Sequence, residues 1–280
     1  MQTKSHYKTE KKLIDNNGTQ WFYKNDQLHR DYDQPAVIHI NGTQSWYKLG
    51  QKNRDDDQPA VIYNDGTKKY YKDDKLHRDN DHPAIIEING TQHWYQNDQR
   101  HRDNDKPAII EKNGTKYWYQ NGKKNRKNDQ PSVIYFNGTQ KWHQNSELHR
   151  DNDLPAIIEA NGRREWYQYG KLYRDNDQPA IIRNDGTQVW YQNAILNTNN
   201  DRNELQYWHN NGESFGSKYH RDNDKPAIIY KNETQKWYKD GKLHRENNKP
   251  AIIYNDGTLK WFIEGVKQEN GELDADFIKG

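Results

Sequence analysis

Three residue groups in this chain have the types and spacing to do chemistry. His-Arg-Asp occurs at His29, His77, His101, His149 and His220. A single copy would suit a phosphoryl-transfer catalytic loop, in which the Asp accepts the substrate proton. Five copies, with no Gly-rich phosphate loop and no Asp-Phe-Gly, read instead as strand ends where Arg pairs with a local Asp. Asp-Asn-Asp recurs at 79–81, 103–105, 151–153, 175–177 and 222–224. Alternating carboxylates can hold calcium, but the downstream bidentate Glu and the loop Gly of a calcium loop are missing and a proline follows, so a solvated Asx turn is expected. Histidines at one repeat position could form a metal ladder if they came within mutual reach. Asn53, Asn125 and Tyr173 interrupt it, so no metal, cofactor or catalytic residue is expected.

The third group is a Trp series at Trp46, Trp94, Trp118, Trp142, Trp166, Trp190, Trp237 and Trp261, with Tyr70 in the one vacancy. Buried, these rings form a structural ladder. Exposed, they would stack sugars or bases. Nucleic acid is disfavoured by charge: 43 basic against 41 acidic residues give a net +2, with Arg and Asp alternating in every repeat.

The repeat behind these groups is set by proline. All nine prolines keep step, at 35, 59, 83, 107, 131, 155, 179, 226 and 250, spaced by 24 residues except for one interval of 47. With the proline as position zero, the consensus is Pro-Ala-Ile-Ile-x-x-Asn-Gly-Thr-Gln-x-Trp-Tyr-x-Asn-Gly-Lys-Leu-His-Arg-Asp-Asn-Asp-x. Asn-Gly between apolar runs is the strongest short hairpin signal, because both turn residues tolerate positive φ. Each unit therefore reads as a strand Pro-Ala-Ile-Ile-x-x, a second strand Thr-Gln-x-Trp-Tyr-x and a returning segment Leu-His-Arg. A two-residue first turn sets the second Ile opposite Trp and Ala opposite Tyr. The second Asn-Gly sets His opposite Trp and Leu opposite Tyr. One face then carries Ile, Trp and His, and the other carries Ala, Ile, Tyr, Leu and Arg. Proline, lacking an N–H, belongs at a strand start.

One unit has too few apolar side chains to fold alone, so neighbouring units must supply the burial. The expected fold is all-β: an elongated, twisted array of antiparallel hairpins, as an open sheet or a β-solenoid, of about 24 residues per unit. Residues 1–10 are expected to be a tail and 11–268 a single array of about eleven units. The rungs run from Trp21 to Trp261 and include Trp208 in an irregular unit, 194–219. Residues 269–280 read as a cap or tail. The chain has no Cys, which excludes disulfides, and no long apolar segment; its N-terminal residues lack an apolar leader. The expected location is the cytoplasm.

Units such as Trp237-Tyr-Lys-Asp-Gly-Lys-Leu-His-Arg245 and Asn255-Asp-Gly-Thr-Leu-Lys-Trp261 resemble the MORN-repeat-variant superfamily, over about residues 11–268. The resemblance implies β-hairpins, a non-catalytic role and binding to proteins or membrane lipids. The best-known MORN unit is shorter and richer in Gly.

Partner specificity should lie where the repeat rule lapses. Position 4 holds His39, Tyr63, Glu87, Glu111, Tyr135, Glu159, Arg183, Tyr230 and Tyr254; these form the candidate interaction surface. Position 10 varies too: Ser45, Lys69, His93, Tyr117, Lys141, Glu165, Val189, Lys236 and Lys260. The leading expectation is a non-enzymatic scaffold binding another protein or itself. Alternatives are a peripheral module for anionic lipid and a carbohydrate binder using the Trp ladder.

Overall fold

The structure, a computed structural model, describes residues 10–192 and 218–269. The described residues form short antiparallel strands and turns, with no helix. They fall into two units, Met1–Phe136 and Asn137–Gly280. In the first, Glu10–Ile14 pairs with Gln20–Lys24, which pairs with Val37–Ile38. From there the first two strands of each repeat alternate: Val37–Ile38, Gln44–Ser45, Val61–Ile62, Lys68–Lys69, Ile85–Ile86 and onward to Val133–Ile134. The second unit runs likewise from Gln140–Lys141 to Leu259–Ile263. The other two strands of each repeat form a separate short hairpin, such as Tyr71–Lys72 with Lys75–Leu76.

Turn chemistry fixes this pattern. In the second turn both residues are left-handed, as in Asn121 (φ 48°) and Gly122 (φ 77°), which gives the tight two-residue hairpin. Tyr then opposes Leu, as in Tyr23–Leu28, Tyr71–Leu76, Tyr167–Leu172 and Tyr238–Leu243, in agreement with the sequence reading. The Asp-x-Asp turn uses the same device: Asn80 and Asp81 both have φ 58°, and the His82 N–H donates to the Asp79 carbonyl at 3.2 Å.

The first Asn-Gly departs from the expectation. Gly42 is left-handed at φ 87° while Asn41 is not, and Asn41 Oδ1 accepts the Thr43 N–H at 2.9 Å. His39 N–H donates to the Thr43 carbonyl and Gly42 N–H to the His39 carbonyl, each at 2.9 Å. This is a three-residue loop with a Gly bulge. It moves the register: the second Ile opposes Gln (Ile38–Gln44), not Trp, and the first opposes position 10 (Val37–Ser45). The pairing moves by two residues, from Trp46 to Gln44 opposite Ile38, and an even shift keeps each side chain on its face.

Two rung assignments also change. Phe22, not Trp21, holds the first rung: its N–H donates to the Ala36 carbonyl at 2.7 Å, as the Trp46 N–H does to Ala60 at 2.8 Å. Trp21 occupies the position-10 slot and donates Nε1–H to Asp15 at 3.2 Å. Across the 47-residue interval, Gln188–Val189 pairs with Ile228–Ile229 and Tyr191–Gln192 pairs with Lys218–Tyr219. The interval is thus one repeat whose second turn is replaced by residues 193–217. Trp208 lies outside the described residues, as do most of the expected irregular unit and the terminal segment beyond Glu269.

Core burial follows the repeat. Ala36, Ala60, Ala84, Ala108, Ala156, Ala227 and Ala251 have no exposed surface, and the rungs Trp46, Trp94, Trp118, Trp142, Trp166, Trp190 and Trp237 are only 5–6% exposed. In the second unit, Leu172, Ala180, Ile181, Val189 and Ile228 form a cluster lined by Tyr167, Tyr191, Tyr219, Tyr230 and Tyr238. Burial pushes the Tyr238 phenol up to about 12.

Candidate binding groove and the arginine ladder

Each rung from Phe22 to Trp237 is closed by an arginine. Arg102 lies 3.8 Å above the Trp94 ring. It donates Nε–H and Nη2–H to the two oxygens of Asp81, at 2.6 and 3.1 Å, and Nη1–H to the Pro107 carbonyl at 3.2 Å. Trp94 Nε1–H donates to the Asp81 carbonyl at 2.9 Å. The same arrangement joins Arg54 to Asp33, Arg78 to Asp57 and Arg126 to Asp105 in the first unit. In the second it joins Arg174 to Asp153, Arg221 to Asp177 and Arg245 to Asp224. The expectation of a local Asp partner is corrected: in all but one case the carboxylate lies 21 residues upstream, in the preceding repeat. A planar guanidinium can stack on a ring and grip a carboxylate at once, which lysine cannot. Arg102, followed by Lys106, holds the Asp81 carboxyl down at about 2; Arg221 and Lys225 do the same for Asp177, and Arg245 and Lys249 for Asp224.

The histidines are structural in the same way. His101 Nε2 meets Asp103 Oδ1 at 3.0 Å, and its Nδ1 accepts the Asn121 N–H of the next repeat at 3.1 Å. Nδ1 must therefore carry the lone pair and Nε2 the proton. His29, His77, His149 and His220 repeat both contacts. The His and the Arg of the motif thus each bond a neighbouring repeat, as His101 does to Asn121 and Arg102 to Asp81. Among the described residues, no group of three or more His, Asp or Glu is placed to hold a metal ion. No helix among them is long and apolar enough to cross a membrane.

Positions 4 and 10 behave differently. The corrected register puts both on one face of the sheet, where their side chains meet within a repeat. His93 Nε2 lies 2.9 Å from Glu87, and Tyr117 Oη–H donates to Glu111 at 2.8 Å. Lys69 stands 4.9 Å over the Tyr63 ring and Lys236 5.1 Å over Tyr230. Lys260 donates to Tyr254 Oη at 3.2 Å. Glu159 accepts from Asn161 at 3.0 Å, and Arg163 beside it pairs with Glu165 at 2.7 Å. Tyr135 meets Tyr117 edge-on at 6.3 Å, and His39 meets Trp21 in the same way. The position-4 residues, Arg183 included, are all half-buried rather than fully exposed.

In the first unit this face opens into a groove of about 790 Å³. Glu87, His93, Glu111 and Tyr117 line it over Ile109 and Tyr119, with Asn89, Asn113 and Lys112 at its margin. Glu87 is partnered by Asn89 and His93 and Glu111 by Tyr117, and neither carboxylate pairs with a lysine or arginine among the described residues. Burial, then the Glu111 hydrogen bond, raises the Tyr117 phenol and keeps it a donor. Sequence reasoning singled out Glu87 and Glu111 but missed Tyr119, whose conserved place opposite position 17 read only as architecture. No protein-family model and no curated protein sequence matches this chain.

Proposed function

We propose that this chain is a non-catalytic repeat scaffold that binds another protein through the position-4 and position-10 face. The observation that carries the reading is the groove at Glu87 and Glu111. Two carboxylates without a lysine or arginine partner stand above an apolar and aromatic floor, on a frame whose ladder arginines join one repeat to the next. Binding sites commonly combine an apolar floor with a few convergent polar groups. The chemistry suits an extended segment that places Lys or Arg between the two carboxylates. The hairpin repeat is compatible with the resemblance to MORN-type repeats, and the reading assigns the chain to the cytoplasm. The Trp rings that a sugar would need are covered by arginines, so the carbohydrate alternative draws no support from them.

The test is capture from host lysate by the full chain and by a Glu87→Lys/Glu111→Lys variant. The expected result is a partner retained by the parent and lost by the variant, with unchanged circular dichroism. Equal capture by both chains would refute the groove as the binding face.

A further inference from the structure

Arg54, Arg78, Arg102, Arg126, Arg174, Arg221 and Arg245 each hold a carboxylate in their fork, whereas Arg30 meets none among the described residues. Arg30 lies 3.7 Å over the Phe22 ring and donates Nη1–H to the Pro35 carbonyl at 3.4 Å, as its counterparts do. Its Nε and Nη2 donors meet no carboxylate among the described residues. The reason is in the sequence: the partner belongs 21 residues upstream, and that position is Thr9. The other end of the ladder is closed differently. Asn248 replaces the accepting Asp, and the residue 21 positions after it is Glu269 rather than Arg. One end keeps its receptor without a ligand, while the other has given up both.

The vacant fork opens into a pocket of about 430 Å³. Lys11, Lys12, Lys24 and His29 line it with Arg30 and Phe22, and the acids facing it are Glu10 and Asp31. Asp31 is already engaged by Lys24 and His29. Lys12 stands 5.4 Å over the Phe22 ring from the strand at the sheet edge. Lys11 and Lys12 pair with no carboxylate among the described residues, so the pocket has a cationic surplus around a preorganised planar donor pair.

We propose that this pocket is a receptor for an aspartate carboxylate, and that its occupant is the acidic segment Glu272–Asp276 of a second copy of the chain. That segment carries Glu272, Asp274 and Asp276 with no basic residue between them. Asp274-Ala-Asp276 has the Asp-x-Asp spacing of the internal ligands, in which the second carboxylate is the one the Arg fork grips. The internal pairs are therefore the template for the contact: two parallel N–H···O bonds to one carboxylate, the strongest geometry available to arginine. This assembly uses the sheet end and not the Glu87–Glu111 groove, so it stands or falls apart from the reading above.

The test titrates a labelled peptide of residues 269–280 with the full chain and reads fluorescence anisotropy. The expected result is saturable binding that weakens with salt, falls more than about tenfold for Arg30→Lys, and falls equally for a peptide carrying Asp274→Asn and Asp276→Asn. The peptide variant leaves the folded chain untouched, so its loss is no folding artefact. Absence of binding, or equal affinity for the two peptides, would overturn the proposal. Sedimentation with phosphatidylserine vesicles that depends on Arg30, without peptide binding, would also overturn it and assign the pocket to an anionic bilayer.

Discussion

Arg221 reaches back 44 residues to grip Asp177 at 2.6 and 3.0 Å, in the same fork that Arg102 makes with Asp81 across 21 residues. Trp190 beneath it donates to the Asp177 carbonyl at 3.0 Å, as Trp94 does to Asp81. The additional 23 residues between the two partners leave the ladder geometry unchanged. The interruption therefore enters at a hairpin turn, where the backbone on either side is already paired through Tyr191–Tyr219 and Gln192–Lys218.

Replacing residues 193–217 with Asn-Gly should consequently leave the fold intact and stabilise it by about 2 kcal/mol through the shorter loop to be closed. Thermal unfolding of the shortened chain checks this. A lower Tm would mean that the segment supplies packing the ladder needs.

The Trp–Arg–Asp module should dominate stability. Trp94→Ala should cost about 3–5 kcal/mol by leaving a cavity. Arg102→Ala should cost about 2 kcal/mol, from the lost stacking and charge-assisted hydrogen bonds. Glu87→Gln, on the groove face, should change stability by less than about 0.5 kcal/mol. Denaturant unfolding of the three variants gives the order directly. Equal losses would remove the distinction between frame and binding face.

Acid should loosen the ladder before it affects the Trp packing. The Asp81, Asp177 and Asp224 carboxyls are held at about 2 by their arginines, from an ordinary 3.8. A folded value below the unfolded one adds stability that is complete above the unfolded value and disappears as pH falls through the folded one. The Tm should therefore drop between about pH 4 and pH 2. These carboxylates are 39–42% exposed, so solvent screening limits each contribution. Asp81→Asn should make the acid slope shallower; an unchanged slope would locate the acid sensitivity elsewhere.

Leu49 sits at the first position of a two-residue turn with φ 49°, where most other repeats place Asn or Asp. It is largely exposed, so its side chain offsets little of that strain. Leu49→Asn should stabilise the chain by about 0.5–1 kcal/mol. Tyr169 has the same strain at φ 46°, but its ring stacks on His149 at 4.2 Å, so Tyr169→Asn should gain less. Parallel melts of the two variants test whether the stacking contact compensates the backbone.

Much of this architecture was legible because the repeat states it many times. The Tyr–Leu pairing and the second turn followed from Asn-Gly beside apolar residues. The first turn did not, because Asn-Gly serves equally in a two-residue turn and in a three-residue loop with a Gly bulge, and only the observed φ of Asn41 separates them. Arg102 was assigned a nearby carboxylate because Asp103 follows it directly, whereas the fork requires an acceptor across the ring, which the preceding repeat supplies. Trp21 beside Phe22 offered two aromatics for one rung, and the backbone bond to Ala36 selects Phe22. Glu87 and Glu111 stood out by escaping the rule, but the groove they share with Tyr119 is built by two neighbouring repeats together, which the pattern of a single repeat does not show.

The central claim is that the face carrying positions 4 and 10 binds a protein partner. Hydrogen exchange of the captured complex, followed by mass spectrometry, tests it most directly. The account predicts added protection in peptides spanning Glu87–His93 and Glu111–Tyr119, with cross-links from the partner's basic residues to Glu87 or Glu111. Protection confined to the short hairpins around Asn97–Asp98 and Asn121–Gly122, with none in the groove strands, would contradict it.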